Sequence, residues 1–235
     1  MNGKGKKRKL NNGGSALVSV LVVTVFISII ATTMLYVSAQ NYQIKQTDYQ
    51  NKQSFYGAEE ALDNLKVILV KDVETAYRTA YEDTMNNFLK VKELGKSRKE
   101  YYQNAYIEAL QKIWDDRQAV AADNVEMVRN LMVAEGLDAE LAKRIYKVES
   151  YGVSTVAEAD GTTKKQFVIK GIRAKYTSGN YTTFIYTDIG IALPSIDLST
   201  EAFTSSAEPY VERETIALTD YVIYMNWRKA DYDET

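Results

Sequence analysis

The sequence predicts an α+β chain: a long N-terminal transmembrane helix continuing into a domain with a helical insertion and a C-terminal antiparallel sheet of about four strands. Three observations carry this expectation. Residues 16–37 read ALVSVLVVTVFISIIATTMLYV, with only Ser and Thr as polar exceptions. From Phe55, the apolar residues Ala58, Leu62, Leu65, Leu69, Val73, Ala76 and Ala80 recur at three- or four-residue spacing, one stripe of a helix. Beyond Tyr146 the texture turns β-branched and aromatic, and a helical region followed by a run of strands is the α+β order.

The first element is a basic leader, residues 1–14, in which Lys4, Lys6, Lys7, Arg8 and Lys9 precede any acid; the first acid is Asp48. Residues 15–40 follow as the membrane helix. Leu10 to Ile44 carries no charge, and the 22 residues of 16–37, at about 1.5 Å each, span the ~30 Å hydrocarbon layer. Cations before the span and acids after it predict a cytoplasmic N-terminus and an extracellular body. Without residues 1–14 the chain has 24 basic against 31 acidic side chains, a net of −7. Such an acidic body argues against nucleic acid as the principal partner, because neutralising phosphates takes a basic surface.

Residues 41–80 continue the helix along the stripe that begins at Phe55. A juxtamembrane coiled coil would show a strict heptad seam there, which the spacing does not hold. Residues 81–145 read as a helical insertion. One helical region runs from about Lys96 to Val133 and closes at Glu135-Gly136. A short helix from Asp138 to Ile145 follows, with Asp138 as N-cap and Leu137, Leu141 and Ile145 inward. Residues 146–235 are the sheet region with its acidic tail. Strands are expected at 147–156, 167–176 and 181–193, joined at Asp160-Gly161 and at Ser178-Gly179-Asn180, with Pro194 ending the third. Ser195 to Glu214 reads as loop, and Ile216 to Trp227 as a fourth strand.

The chain has no cysteine and no histidine, which closes off disulfides, thiolate and imidazole metal sites, and Ser/His or Cys/His nucleophiles. No Ser-x-x-Lys surrounds Ser97, Ser150 or Ser154. Glu59 and Glu60 diverge by about 100° on a helix and do not form a carboxylate pair. Asp115-Asp116 and the tail Asp231 to Thr235 lack the ligand spacing of a calcium loop. The expectation is a protein that is not an enzyme, with no catalytic residue, cofactor or metal. The 18 tyrosines suit half-buried strand and helix positions, or a surface for neighbouring subunits, sugars or host protein.

Three interpretations fit the N-terminal segment. It is a plain anchor, a secretory signal cut after Val37-Ser38-Ala39, or a leader whose helix stays on the protein. The apolar run exceeds the usual 7–15 residues of a secretory signal. A short basic leader, a terminal Gly14, and Ser15-Ala16-Leu17-Val18-Ser19 opening the apolar run resemble the class III signal of type IV pilins and pseudopilins. The segment Ser54-Phe55-Tyr56-Gly57-Ala58-Glu59-Glu60-Ala61-Leu62, some forty residues downstream, resembles the helix segment of PilX-type minor pilins and K-type pseudopilins. Together the two matches cover about residues 8–65. The resemblance implies cleavage between Gly14 and Ser15 by a prepilin peptidase on the cytoplasmic side. It also implies a helix packed against other pilins or pseudopilins after residence in membrane lipid, with Phe55, Tyr56, Ala58, Glu59 and Leu62 as the family-like helix motif. Most pilins carry glutamate at the fifth position after the cut, and this chain has Ser19. Subunits without that acid are similar to those at a pilus tip or in an initiating complex. The expected function is therefore a minor pilin-like structural subunit of a surface pilus or pseudopilus. The alternative is a single-pass anchored extracellular binding or sensing domain that does not polymerise.

Overall fold

The structure, a computed structural model, describes residues 13–93, 97–157, 163–193, 218–230 and 232–233. The basic leader 1–12, the turn at Asp160-Gly161, Pro194 and the loop 195–214 lie outside the described residues. The chain divides into two units, Met1–Tyr49 and Gln50–Thr235. Helix α1, Gly13–Asn86, contributes to both.

In the first unit α1 is helical because nothing interrupts it: from Ser15 to Tyr49 there is neither Gly nor Pro. Hydroxyls that would otherwise compete with the backbone turn back onto it. Thr24 Oγ1 donates to the Val20 carbonyl at 2.9 Å, Ser28 Oγ to Thr24 at 2.9 Å and Thr32 Oγ1 to Ser28 at 2.8 Å. Every side chain from Ala16 to Tyr49 is exposed.

In the second unit the predicted stripe is the core face of α1. Ala58, Leu62, Leu65, Leu69, Val73, Ala76 and Ala80 are buried, and Phe55 packs against them half-buried. Each fully buried leucine contributes roughly 1.5–3 kcal/mol. The helix runs to Asn86, six residues past the expected end at 80. Helices α2 (Phe88–Glu93), α3 (Arg98–Gln118), α4 (Asn124–Ala134) and α5 (Ala139–Ala142) follow. The single region expected over 96–133 is thus two helices. The break falls where Asp123 caps α4, its side chain accepting from the Glu126 amide at 2.7 Å. Gly136, at φ +89, sits just beyond the end of α4 as expected. Asp138 caps α5 by accepting from the Glu140 amide at 3.0 Å. That helix ends at Ala142, and Ile145 is buried in a strand instead of on the helix.

The sheet has five antiparallel strands, one more than expected: β1 (Ile145–Lys147), β2 (Ser150–Ala157), β3 (Thr163–Ser178), β4 (Tyr181–Ile191) and β5 (Val222–Ala230). The extra strand arises because the segment expected over 147–156 is split. β1 pairs with the far half of β3 (Lys147↔Arg173), and β2 with the near half (Ser150↔Lys170). The fault lies opposite Gly171, which takes φ +64. β3 then pairs with β4, and β4 with β5. Asp188 holds this irregular region together, its Oδ1 accepting from the Gly171 amide and its Oδ2 from the Asn226 side chain, each at 2.7 Å. Asn226 stands at φ 53, a conformation that asparagine tolerates. The expected fourth strand, 216–227, is a short 3-10 turn, Leu218–Tyr221, followed by β5. Trp114 of α3 seals the helices onto the sheet, tilted against Tyr151 and Phe167 at 5.3 and 5.7 Å.

Candidate functional site

The first candidate surface is the charge-free part of α1. None of it is buried, and the helix is long and apolar enough to cross a membrane. Gly14 and Ser15 already lie inside α1, so a protease would have to unwind that first turn. Gly13-Gly14 weakens the turn, because each glycine costs about 1 kcal/mol in a helix relative to alanine. Ser19 lies on the exposed surface one turn further on.

The second candidate surface forms where the motif at residues 55–62 meets the sheet. Successive positions of a helix divide between two faces. Ala58 and Leu62 go fully inward, while Tyr56 stays exposed. Gly57 is buried, and a Cβ there would stand 2.2 Å from Cδ1 of Tyr176 on β3. The glycine therefore serves a close approach of the helix backbone to an aromatic ring. Arg144, just before β1, closes the other side. Its guanidinium donates to the Gly57 carbonyl at 2.7 Å and to Glu60 Oε2 at 2.6 Å, and lies 4.3 Å from the centre of the Tyr176 ring. Gln53, Tyr56, Gly57, Glu60, Arg144 and Tyr176 line an open depression of about 380 Å³. The Glu60–Arg144 pair is partly exposed and so contributes only about 0.2–1 kcal/mol.

Phe55 faces the sheet on the other flank, edge-on to Trp227 at 6.1 Å with Lys229 5.7 Å from its ring. Glu59 is half-buried, and burial first, then the charge of Asp63, raises its carboxyl above the ordinary value. Asp63 in turn accepts from the Tyr224 hydroxyl at 2.9 Å. So Phe55, Ala58 and Leu62 are packing residues, while Tyr56 faces out. Glu60 is exposed but tied to Arg144.

Arg144, Tyr176 and Trp227 were not singled out by the sequence. The one available signal was Gly57 in mid-helix, since an interior glycine marks a close neighbour. Asp115 accepts from Gln111 and from the Tyr151 hydroxyl, as a surface residue of α3. Among the described residues no three His, Cys, Asp or Glu side chains gather as cation ligands.

Compared with family models, curated proteins and solved structures, the chain finds no match. The geometry of these two surfaces is accordingly what supports a functional reading.

Proposed function

We propose that this chain is a minor type IV pilin-like structural subunit, held in the membrane by α1 until it is built into or primes a surface pilus or pseudopilus. The observation that carries this reading is the uninterrupted, fully exposed, uncharged surface of α1 from Ala16 to Ile44. Such a surface is stable only in lipid or among other apolar helices, and a filament core built of like helices supplies the second environment. The leader preceding Gly14, and the packing of Ala58 and Leu62 behind an exposed Tyr56, fit the same family layout. In this reading the N-terminus is cytoplasmic, the folded body is extracellular, other pilins or pseudopilins are the partners, and prepilin peptidase is the processing enzyme. Ser19 suits a tip or initiating subunit, because it offers no carboxylate for the amine of a neighbour.

A second reading has its own support in Ser19: a single-pass anchored binding or sensing domain has no need of a docking acid. Intact-mass measurement separates the two. In cells with an active prepilin peptidase, the pilin reading expects a chain that begins at Ser15, 14 residues shorter, and a Gly14→Val variant that keeps its leader. A chain starting at Met1 in those cells sinks the pilin reading and leaves the anchor.

A further inference from the structure

The sheet face turned away from the helices carries an aromatic and cationic cluster that the proposed function does not use. Strand alternation buries Ile172, Ala174 and Ile185 on the core side and leaves Arg173, Lys175, Phe184 and Tyr186 on the other. Register then sets Tyr186 between two arginines, Arg173 on β3 and Arg228 on β5, whose guanidinium centres lie 5.0 and 4.7 Å from its ring. Tyr146 of β1 stands edge-on to Phe184 at 6.1 Å, with Lys175 5.0 Å from the Tyr146 ring.

Into this cluster the chain places one of its own carboxylates. Asp233 Oδ1 accepts from the Tyr146 hydroxyl at 2.8 Å and the Tyr186 hydroxyl at 3.3 Å, and the Arg173 guanidinium lies 3.6 Å away. The Tyr186 hydroxyl also reaches the Tyr232 carbonyl at 3.3 Å. A carboxylate at an exposed position ordinarily finds one screened partner of little worth. Here it meets two phenol donors on packed rings and a guanidinium whose side chain is only 14% exposed. That is the donor set of a carboxylate receptor. Its charge also limits what it takes. Glu149 lies 3.4 Å from the same guanidinium, which disfavours a phosphate dianion and suits a monoanion.

We propose that Tyr146, Tyr186 and Arg173 form a recognition site for an acidic peptide segment of a partner protein, and that Asp233 occupies the site in the free chain as an internal competitor. The partner segment presents an Asp or Glu carboxylate to the two hydroxyls and lays its neighbouring side chain along the rings flanked by Lys175 and Arg228. The proposal stands apart from processing at Gly14 and holds for either reading of the N-terminal helix.

The test uses the full chain in detergent and a fluorescein-labelled peptide, acetyl-Asp-Tyr-Asp-Glu-Thr-amide, followed by anisotropy. Asp233→Asn removes the competing carboxylate and its charge pairing with Arg173, and is expected to bind this peptide at least tenfold more tightly than the unaltered chain. The Asn-Tyr-Asn-Gln-Thr counterpart is expected not to bind, and inorganic phosphate is expected not to compete at millimolar concentration. Adding Tyr146→Phe and Tyr186→Phe, which keep both rings, is expected to abolish the gain. Equal binding of the two peptides, or no gain on Asp233→Asn, overturns the proposal and leaves Asp233 as an internal latch. Competition by phosphate at the affinity of the peptide overturns the carboxylate assignment. The peptide comparison on Asp233→Asn decides the matter even if the phenylalanine variants fail to fold.

Discussion

Arg117 holds Asp72 with two parallel hydrogen bonds, 2.5 and 2.6 Å long, joining α3 to α1. Asp72 is only 4% exposed, whereas the arginine side chain keeps 28% of its surface in water. The two partners therefore differ in what their loss leaves behind. Arg117→Ala strands a buried carboxylate and is expected to cost about 3–5 kcal/mol. Asp72→Ala leaves a guanidinium that can turn to solvent and is expected to cost about 1–3 kcal/mol. Replacing both, Asp72→Leu with Arg117→Met, should recover most of the larger loss, because no charge is left without a partner. Urea unfolding of the detergent-held chain measures all three. Equal losses for the two single variants contradict the assignment.

Gly57 and Tyr176 make a second helix-to-sheet contact with a sharp steric condition. A methyl group at position 57 would overlap the ring, and the ring cannot retreat freely because Arg144 stacks on it. Overpacking of this kind costs about 1–3 kcal/mol, against a gain of roughly 1 kcal/mol from better helix propensity. Gly57→Ala is thus expected to destabilise the protein despite improving the helix locally. Tyr176→Ala removes the obstacle, so the double variant should be more stable than the sum of the singles by at least about 1 kcal/mol. Additivity within about 0.5 kcal/mol in the same unfolding assay rules the contact out as the reason for glycine.

These two contacts also mark the limit of what the sequence made legible. The stripe from Phe55 to Ala80 was readable because burial follows the helix period, and the turn at Gly179 because that residue takes φ +58. Gly136 and Asp138 were readable as local end signals. The break between α3 and α4 was not, because Ala119, Val120, Ala121 and Ala122 carry no stop and only Asp123 marks the restart. The split of β1 from β2 was hidden for a related reason, since Val148-Glu149 fits a strand until the bulge opposite it is known. Asp72 lies next to Val73 on the helix, and nothing local explains a charge buried there. Its partner is 45 residues away. Arg144 meets Glu60 across 84 residues, so neither the ion pair nor the depression it lines has a local signature. The apolar span was legible as composition alone, whereas cleavage and docking rest on resemblance.

Buried and partly buried tyrosines set the alkaline limit of the fold. Burial first, then the neighbouring tyrosines Tyr77 and Tyr106, pushes the Tyr102 hydroxyl far up. Burial does the same for Tyr106, and burial plus the hydrogen bond to Asp63 for Tyr224. In the unfolded chain each titrates near 10. Above that pH the unfolded state gives up protons that the folded state retains, so stability is intact below about pH 10 and falls as pH rises beyond it. The slope approaches about 1.4 kcal/mol per pH unit for each such group. Unfolding midpoints between pH 8 and 11 should show this decline, and Tyr106→Phe should make it shallower. Absorbance at the tyrosinate band should rise for these residues only as the near-ultraviolet dichroism collapses. Complete titration of all 18 tyrosines with the dichroism unchanged would show that burial does not hold the protons.

In a membrane, insertion of a helix as long and apolar as α1 depends on its middle more than on its ends. Ile27 and Ile30 lie near the centre of the span 16–37 and are 61% and 51% exposed, so neither contributes to a protein core. Moving a lysine to the centre of a membrane helix costs about 2.5–3.5 kcal/mol on the insertion scale, and losing isoleucine forfeits roughly 0.3–0.6 more. Ile27→Lys with Ile30→Lys therefore removes about 6–8 kcal/mol from insertion. Tyr42→Lys removes almost nothing, because a lysine at the end of the span snorkels to the interface. Carbonate extraction of cell membranes is expected to release the double lysine variant and retain Tyr42→Lys. The near-ultraviolet dichroism of the folded region should stay the same in both, since neither site touches its core. If the double variant stays in the carbonate pellet like the unaltered chain, the apolar surface of α1 is not what holds the protein in the membrane.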